Sequence, residues 1–233
     1  HRLMVMVVGL TLLSSTAWIT VNADENRALA RFETLPDMRV WGRSAVTAAF
    51  EELAVYHRRR IEPEKAVAYF RKYIAIDSAN GRIWSGLANI YRLTSDTQNE
   101  MLAYEQAVSC RTTILEVYLN LSAFYANQNR LEDAMAVAKI GAEMYPVSAI
   151  ANNNFGAIML RKDLPCTTTL PYFLKAIQLD PDYADAYYNA GLCSYELKDG
   201  PSARRYLNRF LAMSPDPASA ALARKLLGQM NPP

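Results

Sequence analysis

The sequence predicts an all-α solenoid, and three observations support this fold class. Two kinds of amphipathic segment alternate along most of the chain. Five segments of each kind align with one another at a period of about 34 residues. Large and small residues recur at fixed positions within the aligned segments, as expected for helices that stack on their neighbours.

The alignment gives five helix–turn–helix repeats and two flanking segments. We place the repeats at 47–80, 81–114, 115–148, 149–183 and 184–217. A last helix at 218–230, within a terminal segment 218–233, has the small and basic residues of a solvated cap. A connector helix is predicted at 24–46, where Ala28, Phe32 and Leu35 share one face and Pro36 ends it.

Within each repeat, the first helix carries large residues at its fourth and seventh positions and a small residue at its eighth. The small residues are Ala54, Ala88, Ser122, Gly156 and Gly191. The second helix answers with large residues at Phe70, Tyr104, Phe173 and Leu207. A small residue facing a large one lets the two helices approach closely, so these positions are the predicted core.

Some positions depart from this pattern. Glu100 and Thr169 stand where a small residue is usual, and Asn152 stands where a bulky one is usual. His57 replaces a tyrosine of the first helix, and we interpret it as a packed core histidine with no evident carboxylate and nucleophile beside it.

This pattern resembles the tetratricopeptide repeat family over most of the chain. The resemblance implies a right-handed superhelix of helix pairs whose first helices line a concave groove that binds proteins or peptides. Carrying the groove positions over to this sequence places Asn153 among the groove residues. Eleven other groove residues form the predicted peptide-binding site: Asn89, Asn120, Asn127, Asn154, Asn189, Arg58, Arg82, Arg92, Arg161, Tyr188 and Tyr195.

Three of these residues form a row. Asn120, Asn154 and Asn189 share the sixth position of three consecutive repeats. An amide both donates and accepts hydrogen bonds, so a row of amides suits an extended peptide backbone, and it resembles the asparagine ladder of the O-GlcNAc transferase solenoid. Asparagine is also common at this position across the family, which is the alternative explanation.

The segment 3–23 carries no charged residue and is long enough, as a helix, to cross a bilayer. Arg2 precedes it, and Asp24 and Glu25 follow it, which favours a membrane helix at 1–23 (buried through residues 3–21) with the repeats outside the cytoplasm. A cleavable signal peptide and a buried helix of a soluble protein are alternatives. Because the chain opens with His1, we also expect a fragment or a processed form.

Composition excludes several classes of protein. Hydrophobic residues make up 51% and charged residues 21%, and the net charge of +2 provides no basic field for nucleic acid. With two histidines and three scattered cysteines, no structural metal site is predicted and no cofactor motif appears. A disulfide between Cys166 and Cys193 is conceivable but cannot be deduced from sequence.

The sequence therefore predicts a non-enzymatic scaffold, tethered to a membrane, that binds a protein or extended peptide and no small-molecule substrate. Two alternatives remain. In one, the repeats present acceptor proteins to the catalytic part of a multi-pass membrane glycosyltransferase lying upstream. In the other, they are a secreted or periplasmic assembly scaffold released by signal cleavage.

Overall fold

The computed structural model describes residues 43–59, 62–213 and 216–230, and throughout them the chain forms α-helices joined by short turns, with no β-strand. The helices are α1 (Arg43–Arg59), α2 (Pro63–Ile76), α3 (Gly81–Leu93), α4 (Thr97–Ser109), α5 (Leu115–Asn127), α6 (Leu131–Met144), α7 (Ala149–Arg161), α8 (Cys166–Leu179), α9 (Ala184–Glu196), α10 (Gly200–Ala212) and α11 (Pro217–Gln229).

The helices divide into two compact units. The first unit ends at Ile114 and contains α1–α4, in which each helix packs on the next. The second begins at Leu115 and contains α5–α11, again with each helix packed on the next. In the second unit α5 also contacts α7, and α7 contacts α9, so the first helices of successive repeats lie side by side.

The predicted core positions are buried. The exposed fraction is 0% for Phe173 and Leu207 and 1% for Tyr104. A Cβ atom added to Gly156 would lie 2.7 Å from Cε1 of Phe173, so α7 and α8 approach more closely there than alanine allows. The alternation of small and large residues in the sequence thus sets the spacing of the helix pairs.

Four turns between paired helices share one backbone conformation. A residue with φ between 57° and 60° follows each of α3, α5, α7 and α9, at Ser95, Asn129, Asp163 and Lys198. The backbone N–H of the following residue donates to the carbonyl five residues before it. Asp96 donates in this way to Tyr91 at 2.9 Å, and Asp199 to Ser194 at 2.9 Å. This is a Schellman closure, built here without glycine.

Two departures from the repeat pattern have physical explanations. Asn152, 1% exposed, donates from Nδ2 to the carbonyls of Pro146 at 3.1 Å and Ser148 at 2.8 Å, and so its buried amide is satisfied by the turn before α7. Thr169 is fully buried, and its Oγ1 lies 3.2 Å from Sγ of Cys193. In both cases the buried polar side chain has a hydrogen-bonding partner.

His57 lies in the core, with an exposed fraction of 1% and its ring stacked on Tyr69 at a centroid distance of 5.4 Å. It does have a carboxylate partner that the sequence did not indicate, because Nδ1 of His57 hydrogen-bonds to the carboxylate of Glu62. That hydrogen bond holds the pKa of Glu62 below its usual value. The pair joins the end of α1 to the start of α2.

Glu100 is the departure with an energetic penalty. Its side chain is 5% exposed on α4, and burial raises the pKa of its carboxyl against the opposing effects of Arg92 and Tyr104. A raised pKa in the folded state means that the folded chain holds a proton over a pH range where the unfolded chain has lost it. Stability therefore falls as the pH rises from the ordinary glutamate pKa through the folded one.

We expect Glu100→Gln to raise the free energy of unfolding at neutral pH by about 1 kcal/mol, because it removes a buried charge at nearly constant volume. The gain should shrink as the pH falls toward the ordinary glutamate pKa. Urea titrations at several pH values measure it, with exposed Glu116→Gln in the first turn of α5 as the control. A gain independent of pH would contradict this explanation.

The membrane helix predicted at 1–23 lies outside the described residues, as does nearly all of the connector helix at 24–46. Among the helices that are described, none combines the length and apolar character needed to cross a bilayer.

Candidate functional site

The predicted site residues of the second unit lie on α5, α7 and α9, the first helices of three repeats. Asn120, Asn154 and Asn189, which we call the amide row, are each half-buried. Because α7 contacts both α5 and α9, the row crosses neighbouring helices. Hydrogen bonds to neighbouring repeats determine which side of the Asn154 and Asn189 amides donates and which side accepts.

The amide of Asn154 is oriented by the preceding repeat. Its Nδ2 donates to Oγ of Ser122 at 2.9 Å, and that hydroxyl donates in turn to the carbonyl of Leu119 at 2.9 Å. Since the hydroxyl proton of Ser122 is already used, its oxygen can only accept. The amide nitrogen must therefore face Ser122, which leaves Oδ1 of Asn154 as an acceptor on the other side.

The amide of Asn189 is oriented by a longer relay. Its Nδ2 donates to Oδ1 of Asn153 at 3.0 Å, and Nδ2 of Asn153 donates to the hydroxyl of Tyr183 at 3.3 Å. Burial, followed by the charge of Asp185, raises the pKa of the Tyr183 hydroxyl, which keeps its proton and shares it with Asp185. The family positions also place Asn153 in the groove, but the structure buries it, with 6% exposed, as the link of this relay.

Arg161 and Asn127 also connect repeats. Nη2 of Arg161 donates to the carbonyl of Ala126 at 2.7 Å, and its Nη1 donates to Oδ1 of Asn127 at 3.4 Å. The guanidinium thus sits at the C-terminal end of α5, where free carbonyls favour a positive charge. Both residues are exposed, so this contact leaves part of each side chain open to solvent.

The two tyrosines assigned to the site from sequence, both in the fifth repeat, differ in their surroundings. Tyr188 packs on Phe210 at a centroid distance of 4.9 Å, and its ring is half-buried. Tyr195 donates from its hydroxyl to Oε1 of Gln229 at 3.0 Å. Because Gln229 ends α11, the last helix covers part of the surface that the sequence assigned to binding.

The remaining predicted residues lie in the first unit. Arg82 pairs with the carboxylate of Glu51, at 2.6 Å from Oε1 and 2.8 Å from Oε2. Arg92 is exposed and donates to Oδ1 of Asn89 at 3.4 Å, while Arg58 is half-buried in the last turn of α1. Arg82 also lines an open pocket of about 420 Å³.

The described residues hold no cluster of three or more His, Cys, Asp or Glu side chains that could bind a metal ion. The closely spaced aspartates after α8 bind groups of the protein itself. Oδ1 of Asp180 accepts from the backbone of Asp182 at 3.0 Å, and Asp182 pairs with Arg209 at 3.0 Å. These contacts are those of a turn between repeats.

Comparisons with known proteins agree with this architecture. The sequence model of the tetratricopeptide repeat family matches residues 170–218. The chain is similar to human protein O-mannosyl-transferase TMTC3, with 34% identity over 103 residues that cover 43% of this chain and 11% of that protein. It is similar to the general transcriptional corepressor trfA of Dictyostelium discoideum, with 28% identity over 102 residues covering 41% and 7%.

The matched part spans only 11% and 7% of the length of these two relatives. Among solved structures, YrrB, described as a tetratricopeptide repeat protein with an unusual peptide-binding site, matches with a TM-score of 0.64 and 21% identity. The match covers 76% of this chain and 91% of that one. Residues 170–218 therefore match the tetratricopeptide repeat family by sequence, and the paired helices of the described residues have the fold of its solved structures.

Proposed function

We propose that this chain is a protein-interaction scaffold that binds an extended peptide segment along the amide row of its second unit. The proposal has one main support, which is the hydrogen bonding of Asn154 and Asn189 to neighbouring repeats. Each amide donates one N–H to a side chain on another helix, and among the described residues no group donates a hydrogen bond to Oδ1 of either. Each acceptor is therefore available to a peptide N–H.

Preorganisation gives these contacts their value. An amide that is already held by its neighbour loses little rotamer freedom when a ligand binds. Spaced acceptors on successive helices contact a peptide main chain rather than its side chains, so affinity comes from the row and selectivity from its surroundings. We propose Tyr188 as an apolar contact, and Arg161 as a charge contact beside Asn127.

We expect the combined change of Asn120, Asn154 and Asn189 to Ala to weaken peptide binding about tenfold or more, since each lost hydrogen bond is worth about 0.5–1.5 kcal/mol. The probe is a peptide selected on the immobilised chain from random peptides displayed on phage, and its affinity is measured by fluorescence anisotropy. Circular dichroism of the triple variant checks that helicity is unchanged.

The matched control is Asn208→Ala, an exposed asparagine on the second helix of the fifth repeat. It should leave the affinity unchanged. An unaltered affinity in the triple variant would overturn the amide row as the binding surface. If the selected peptide instead depends on Arg58 and Arg92, binding belongs to the first unit.

A second candidate function is supported by the similarity to the transferase TMTC3, of which the match covers only 11%. In this proposal the repeats present acceptor proteins to a catalytic part of a larger membrane-bound glycosyltransferase. The uncharged segment 3–23 would then be a membrane helix, with the repeats on the extracytoplasmic side.

The intact mass and N-terminal sequence of the native protein, taken from separated membrane and soluble fractions, distinguish these functions. A much larger membrane-bound chain supports the transferase. A membrane-bound chain of this length supports a tethered scaffold. A shorter soluble chain that lacks the uncharged segment supports a released scaffold.

A further inference from the structure

Two cysteines of the second unit meet inside one buried cluster. Cys166 is the first residue of α8, and Cys193 lies in the last part of α9. Their exposed fractions are 2% and 0%, and they pack together with Phe173 and Ala190. Both are free thiols in the structure, and they lie within hydrogen-bonding reach of each other.

The neighbours of the two thiols are hydrogen-bonding groups that bring them no positive charge. Sγ of Cys166 donates to Oε2 of Glu196 at 3.3 Å, and Sγ of Cys193 lies 3.2 Å from Oγ1 of Thr169. Burial raises the pKa of both thiols. A protonated, enclosed thiol is a poor nucleophile, so the folded pair is inert toward external reagents.

The third cysteine is in a different position. Cys110 follows α4 in the first unit, is partly exposed, and donates to the carbonyl of Ser78 at 3.3 Å. Cys166 and Cys193 are therefore the pair that the fold brings together. The pair also joins two repeats, since α8 belongs to the fourth repeat and α9 to the fifth.

We propose that Cys166 and Cys193 form a disulfide when the chain folds in an oxidising compartment, and that this bond locks α8 onto α9. A thiolate of the pair, exposed before folding is complete, attacks a small-molecule disulfide and releases one thiol. The second thiolate then attacks the mixed disulfide and releases the other thiol. The two cysteines lose two electrons and two protons in total, and the small-molecule disulfide gains them.

The bond should stabilise the folded chain because it lowers the conformational entropy of the unfolded segment between the two cysteines. We expect the melting temperature of the oxidised chain to exceed that of the reduced chain by about 5–10 °C. The lock does not depend on the peptide-binding proposal, because it concerns side chains on the inside of the helix pairs.

The test refolds the full chain in a buffer of reduced and oxidised glutathione, then unfolds it and alkylates all remaining thiols. We expect one alkylated cysteine, Cys110, and a peptide in the unreduced digest that links Cys166 to Cys193. Three alkylated cysteines, or a bond that includes Cys110, would overturn the proposal.

Two variants separate the bond from general effects of oxidation. Cys110→Ser should keep both the bond and the difference in melting temperature between oxidised and reduced chains. Cys166→Ala should abolish both. If Cys166→Ala does not fold, the digest of the Cys110→Ser variant still decides, since the two remaining cysteines are then either linked or alkylated.

Discussion

Phe173→Ala should lower the free energy of unfolding by about 3–5 kcal/mol, the range for removing a large buried aromatic ring. The ring is fully buried on α8, in a cluster with Cys166, Ala190 and Cys193. It also fills the space beneath Gly156, whose missing side chain allows α7 to reach it. Since these neighbours belong to three helices, no single shift can close the cavity.

The matched control is Leu174→Ala, the next residue on the same helix, which is 37% exposed. Its truncation removes an aliphatic side chain from a partly solvated position and should cost well under half as much. Urea unfolding followed by circular dichroism compares the two variants. Each repeat contacts only its neighbours, so one part of the array can unfold before another. A Phe173→Ala variant in which only the second unit unfolds at lower urea would also support the prediction. Equal effects in both variants would contradict it.

The packing of the helices could be predicted from sequence because it repeats. A small residue and a large one recur at nearly the same spacing, 17 residues for Gly156 and Phe173 and 16 for Gly191 and Leu207. The stacking of equivalent helices requires this regularity. Each repeat supplies an independent observation of the same contact. Errors at one position are therefore corrected by the others.

Contacts that occur once were not predictable in this way. The hydrogen bond between His57 and Glu62 depends on the turn at the end of α1, and the buried amide of Asn152 depends on the turn before α7. Sequence spacing shows that these residues break the pattern but not what compensates for the break. Their partners are set by local backbone geometry, which no other repeat duplicates.

The candidate site falls between these two cases. Family positions selected Asn154 and Asn189, but they could not show that each amide is already hydrogen-bonded to another repeat. The same family positions placed Asn153 in the groove, whereas the structure buries it as a link between Asn189 and Tyr183. Its partners, Asn189 and Tyr183, come together only when neighbouring repeats stack.

Gly191→Ala should destabilise the chain by about 1–3 kcal/mol, although alanine is the better helix former. A Cβ atom added at this position would lie 2.6 Å from Cδ2 and 2.7 Å from Cγ of Leu207. Leu207 has an exposed fraction of 0% and cannot turn toward solvent. The added methyl group must therefore push α9 and α10 apart.

Gly228→Ala in α11 is the matched control, because no atom lies within 4 Å of its added Cβ. There the better helix propensity acts alone, and stability should rise by up to about 1 kcal/mol. The same substitution in two helices is thus expected to have opposite signs. Combining Gly191→Ala with Leu207→Ala tests the cause, since relief of the clash makes the pair less destabilising than the sum of its parts. Strict additivity in urea unfolding would show that the contact between Gly191 and Leu207 does not set the spacing of α9 and α10.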